Sequence, residues 1–169
     1  RVEGHAAFDT GAGTTSGAVS ADMPNLEPLM RALLGAGRAG EPAPKASGRV
    51  RASGEWSGTI DRPVVAMTVG GTNLAVETDA FGVTGASVDG RIEGPLSHPE
   101  GAIRVAAAGV RASGLSPVPA DAEIRVRPGH VEVQARVPDW AAAVDGRMDI
   151  AAPHAFSATL AVTDLAASR

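Results

Sequence analysis

The segment DAEIRVRPGHVEVQARV, residues 121–137, alternates apolar and polar side chains with a period of two. Ala122, Ile124 and Val126 alternate with Glu123, Arg125 and Arg127. Val131, Val133, Ala135 and Val137 then alternate with Glu132, Gln134 and Arg136. Successive side chains of an extended strand point to opposite faces, so this pattern makes ribbons with one apolar and one charged side. A helix would scatter the same apolar residues around its circumference. Between the two runs stands Pro128-Gly129. Proline fixes φ and glycine accepts φ > 0, which predicts a hairpin with a type II turn.

The rule recurs along the chain. Val65, Met67 and Val69 share a face in VVAMTV, and Phe156, Ala158, Leu160 and Val162 share one in FSATLAV. NLAVETD and GVTGASV flank Ala80-Phe81 as a further hairpin, and Asp89-Gly90 is the dipeptide favoured in two-residue turns. The expected class is all-β: roughly ten to twelve short, mainly antiparallel strands joined by tight turns. One segment departs from it. In PNLEPLMRALLGAG, Leu26, Leu29, Met30, Leu33 and Leu34 form the stripe of an amphipathic helix over about 25–35, with Asn25 able to cap its start. That helix is expected to lie as a lid over the end of a sheet. A glycine- and proline-rich connector follows at about 36–47.

The punctuation of one segment is repeated while its chemical groups drift. GEWSGTIDRP at 54–63 and GRIEGPLSHP at 90–99 share two glycines and a proline. Ile60 aligns with Leu96, Met67 with Ile103, Val69 with Val105 and Leu74 with Val110, whereas Trp56, Asp61 and Arg62 become Ile92, Ser97 and His98. Repeat units of about 54–89 and 90–125 follow, each a strand, a glycine bend and a second strand entering at the proline. A looser third copy, of shorter spacing, is read from Gly146 through Pro153 to Leu165. The whole of 1–169 is thus a single segment of a repetitive β domain. Because it opens on Arg1, it is read as part of a longer chain.

Composition sets what such a sheet can enclose. The apolar fraction is 44%, but aromatics make up only 3% and alanine and valine dominate. The net charge is −4, and arginines are scattered without basic blocks or interleaved aromatics, which argues against a nucleic-acid partner. There is no cysteine, hence no disulfide framework or thiolate metal site. GEWSG places Ser57 fourth, not third as a nucleophile elbow requires, and GAGTTSG lacks the lysine of a phosphate loop. His5, His98, His130 and His154 stand far apart and read as solvated turn residues, and Asp61, Asp89, Asp139 and Asp145 as turn formers. Trp56 and Trp140 read as fillers of volume that alanine and valine leave. No catalytic residue, metal or cofactor is expected.

The segments ADMPNLEPLMRAL, GRVRASGEWSGTIDRPVVAMTVGGTNLAVET, SVDGRIEGPL and ARVPDWAAAVDGRMDI resemble TamB/AsmA-type proteins. In those proteins a glycine-punctuated unit with a proline-led strand recurs, followed by an N-L or D-L segment and a strand pair. The resemblance implies a periplasmic protein tethered to the inner membrane, whose curled sheet carries phospholipid toward the outer membrane. It also implies a partner, an outer-membrane β-barrel protein, and a link to assembly of such barrels. The lipid-facing residues expected are Val65, Met67, Val69, Leu74 and Val76, then Ile103, Val105, Ile124 and Val126. Val131, Val133, Val137, Phe156, Leu160 and Val162 complete the set. The alternative fold is a β-sandwich or β-solenoid, and the alternative function is a structural module of a surface adhesin without a transport role.

Overall fold

Each strand pairs antiparallel with its neighbour in sequence, which makes one ten-stranded meander. The strands are β1 (Val2–Asp9), β2 (Thr14–Met23), β3 (Lys45–Thr59), β4 (Arg62–Glu77), β5 (Phe81–Pro95), β6 (Glu100–Ala112), β7 (Val118–Arg127), β8 (His130–Val137), β9 (Ala142–Asp149) and β10 (Phe156–Val162). The computed structural model describes residues 1–27, 45–78, 81–112, 114–150 and 155–162. A short 3-10 turn, Pro138–Trp140, joins β8 to β9. The all-β class expected from the alternation is observed, and so is the curled single sheet that the resemblance implied rather than the alternative sandwich or solenoid.

The register explains why alternation is kept. Val69, Gly90, Ile103, Ile124, Val133, Gly146 and Ala158 stand opposite one another from β4 to β10. One step toward the hairpin tips, Val19, Gly54, Met67, Ile92, Gly101, Val126, Val131, Met148 and Phe156 form a parallel row from β2 to β10. The intervening residues form a polar row: Thr68, Arg91, Ala102, Arg125, Glu132, Arg147 and Ser157. A slip of one residue in any pair would turn a whole strand's apolar set to the charged side, so the pattern fixes the pairing.

The repeated glycines and prolines now have a physical reason. Gly58 and Gly94 take φ of 117° and 115°, which side-chain-bearing residues adopt only under strain. Each precedes a hairpin tip. There the amide of Ile60 donates to the carbonyl of Gly13 at 3.1 Å, and that of Leu96 to Pro63 at 2.9 Å. Ile150, aligned with them in the third copy, donates to Gly129 at 2.9 Å. Successive tips are thereby tied together, and what the repeat conserves is backbone geometry. Pro63 is the second residue of β4 and Pro99 directly precedes β6, as strand-entry residues should be.

Several expectations are corrected. β3 to β6 run 13 to 16 residues, because their glycines bend the strands without ending them. Bulges interrupt the register between Ser47 and Arg49, between Gly71 and Val76, and between Ala107 and Val110. Gly48, Asn73 and Gly85 supply positive φ there. The extra residues let Gly71 and Leu74, three positions apart, both face the apolar side. Asp89-Gly90 is not a turn; it lies inside β5, with Gly90 opposite Ile103. Asp145 likewise lies inside β9, whereas Asp61 and Asp139 do sit in turns. His5 and His130 are strand residues, and His130 is hydrogen-bonded to Glu132. Gly129 takes φ 83°, as the second central residue of the expected type II turn. Lys45 to Ser47, assigned to the connector, begin β3. The rest of the connector, residues 28–35 of the expected helix, Pro153 and His154 lie outside the described residues.

Candidate apolar trough

All fifteen residues expected to face lipid fall on one side of the sheet. Val65, Met67 and Val69 of β4 continue through Ile103 and Val105, Ile124 and Val126, and Val131, Val133 and Val137. Phe156, Leu160 and Val162 of β10 end the same rows. Leu74 and Val76 keep that side only because the bulges restore it, opposite Ala86 and Val83. The face also holds Val19, Trp56, Val88, Ile92, Val144 and Met148, which the strand-by-strand pattern did not single out. In β5 the signal was present as Val88, Gly90 and Ile92, but glycine in the middle hid the period.

The described residues leave this face mostly uncovered. Among the described residues the buried apolar side chains are Leu26, Leu74, Ala86 and Ala107, and no large side chain is fully buried. Met67, Met148, Leu160 and Phe156 remain 45%, 44%, 66% and 71% exposed. A compact monomer of 16.9 kDa would expose about 7,700 Å². This chain exposes 11332 Å². Domains ordinarily bury an apolar sheet face against a second layer, and monomers rarely leave such a patch open.

Between β2 and β6 the face is hollowed. Val19, Gly54, Met67, Gly90, Ile92 and Ile103 line a hollow of about 320 Å³ whose walls are almost wholly apolar. Glycines on the rows leave its floor low, between the taller methionine and isoleucine side chains. A right-handed twist makes a sheet saddle-shaped, so the opposite side is hollowed as well. That second hollow, about 650 Å³, is lined by Asp22, Arg51, Ser53, Thr68, Asp89 and Arg91. Its groups are largely matched among themselves: Ser53 and Thr68 hydroxyls lie 2.6 Å apart, and Arg51 Nε is 3.5 Å from Asp22.

The charged face carries ion pairs both across and along its strands. Arg104 Nε meets Glu123 at 3.4 Å, Arg125 also pairs with Glu123, and Arg127 Nε stands 3.6 Å from Glu132. Glu123 is part-buried while its arginine partners are more exposed, so each pair contributes about 0.2–1 kcal/mol, and the two that cross strands also serve register. Glu132 accepts a hydrogen bond from His130 Nε2 at 3.1 Å. That bond, aided by Arg127, holds its carboxyl below the usual carboxylate range.

Trp56 fills volume as expected, with its indole laid over Gly17 and its Nε1 donating to Thr15 Oγ1 at 3.2 Å. Trp140 closes the 3-10 turn, half-buried. Among the described residues no group of three or more His, Cys, Asp or Glu could hold a metal, and no helix is long and apolar enough to cross a membrane. Comparison with protein-family models, curated proteins and solved structures finds no match.

Proposed function

We propose that the chain is a stretch of a lipid-carrying trough, in which the apolar face receives acyl chains and the charged face meets water. The observation that carries this reading is the single-layer sheet, whose continuous apolar side is left without a second protein layer among the described residues. An acyl chain suits that lining. It gains about 0.8 kcal/mol for each CH2 removed from water and requires no directional partner. Small side chains leave room for it, and rows of like residues from β2 to β10 offer similar contacts at each step. Movement is then sliding along the rows, with no catalytic step and no cofactor.

With the resemblance to TamB/AsmA-type proteins, the proposal extends to phospholipid passage across the periplasm, an inner-membrane tether and an outer-membrane barrel partner. A structural module of an adhesin is the rival. It requires the same alternation but closes the apolar faces on each other, and the exposure of Met67 and Leu160 argues against it.

The test places a photocrosslinking residue at Val133, Leu160 or Glu132 and adds vesicles of phosphatidylethanolamine and phosphatidylglycerol. Val133 and Glu132 are neighbours on β8 that point to opposite sides. Phospholipid adducts are expected at Val133 and Leu160 and not at Glu132. Equal labelling of both faces, or none, overturns the proposal.

A further inference from the structure

Among the described residues, the apolar face is buried where the chain itself covers it. Leu26, three residues beyond the end of β2, is only 5% exposed. It clusters with Leu74 of β4, Ala86 of β5 and Ala107 of β6, and Val50, Val83, Val88 and Val110 pack around them. These floor residues lie along the bulges, where the strands bend.

The contact is built at its root and at its turn. Asp22, next to last in β2, lies 3.4 Å from Arg49 Nε and 3.5 Å from Arg51 Nε, and its backbone exchanges hydrogen bonds with Arg1 at 2.7 and 2.8 Å. Asn25 Oδ1 then accepts the amide of Glu27 at 2.9 Å, an Asx turn around Leu26. The leucine is therefore held in place by the residues on either side of it.

We propose that Leu26 is a resident occupant of the trough. It takes the place of a guest acyl chain over Leu74, Ala86 and Ala107 and confines that guest to the row of Met67, Ile92, Val131 and Met148. The inference rests on the trough reading. An acyl chain entering along the bulges must first displace Leu26 and expose it to water, losing much of what it gains. The uncovered row imposes no such exchange. Leu26 thereby sets how wide a guest the trough accepts.

The experiment uses the full chain with diazirine-bearing palmitate and maps labelled peptides by mass spectrometry. In the unaltered protein, label is expected on β7 to β9 and little at Val88 and Val110. Leu26→Ala raises labelling at Val88 and Val110 about tenfold, equivalent to about 1.4 kcal/mol in occupancy. Leu26→Met, which refills the same space, retains the original pattern. Asn25→Ala removes the turn without opening a cavity and shifts labelling the same way, so the comparison survives if Leu26→Ala does not fold. Val88 and Val110 labelled as strongly in the unaltered protein as in both opening variants, with β7 to β9 labelled throughout, overturns the inference alone. No label on either region in any variant overturns the trough reading and the inference with it.

Discussion

The indole of Trp56 lies so close over Gly17 that a Cβ on residue 17 would stand 2.2 Å from the ring's Cζ2. The backbone carbonyl of His5 would be only 2.5 Å away, so the site is closed on two sides. Glycine in a strand ordinarily weakens it; here the ring of the opposing residue covers the bare backbone. Gly17→Ala is expected to cost about 1–3 kcal/mol by overpacking. The ring has to leave, so Trp56 emission shifts to the red. Urea titration and fluorescence in a Trp140→Phe background measure both. An unchanged spectrum would mean that the ring does not rest there in solution.

The bulges are predicted to be determinants of curvature. Asn73 holds φ 52° beside Leu74, a conformation that costs a β-branched residue about 1–2 kcal/mol. Asn73→Val should destabilise by that amount, whereas Asn73→Gly should be neutral or slightly stabilising. Thermal unfolding of the pair decides the matter. Equal effects of valine and glycine would show that positive φ is not required.

Glu132 should give a pH signature. Its folded-state pKa is depressed by the hydrogen bond from His130 and, secondarily, by Arg127. The stabilisation is therefore present above the ordinary carboxylate range and is lost as pH falls through the lowered folded value. His130→Gln is expected to move the Glu132 titration upward toward the ordinary range, read by NMR of its carboxyl carbon. A titration curve that stays in place would remove His130 as the cause.

A charge in the middle of the apolar face separates a conduit from a packed core. Val133 lies half-exposed between Ile124 and Gly146. Val133→Asp should lower stability by only about 0.5–3 kcal/mol, since the new carboxylate can stay solvated. It should nevertheless abolish palmitate labelling on β7 to β9. Complete unfolding would mean that the face is buried in solution.

Much of the fold was legible because alternation fixes which way each side chain points. The β7–β8 hairpin, the shared face of Val65, Met67 and Val69, and the strand entries at Pro63 and Pro99 all follow from local rules. Asp89-Gly90 misled because a turn dipeptide and a glycine admitted for close strand approach are written alike. A Cβ on Gly90 would stand 2.7 Å from Cγ1 of Ile103, and only the partner strand reveals that. The continuation of Leu74 and Val76 on the apolar side was likewise invisible without the bulges. His130 read as a solvated turn residue because its tie to Glu132 depends on the strand beginning directly after Gly129. Leu26 was recognised as part of an apolar stripe, but its floor of Leu74, Ala86 and Ala107 comes from three different strands.

A meander in which every strand pairs through its backbone only with the strands before and after it behaves as a nearly one-dimensional object. Adding or removing a hairpin alters two local interfaces and leaves the remainder as it was. Such a protein encodes a profile, as an extruder's die does, and leaves total extent to be chosen independently. The length of such a sheet can therefore be changed by duplication alone, without redesigning the contacts within the units that are copied.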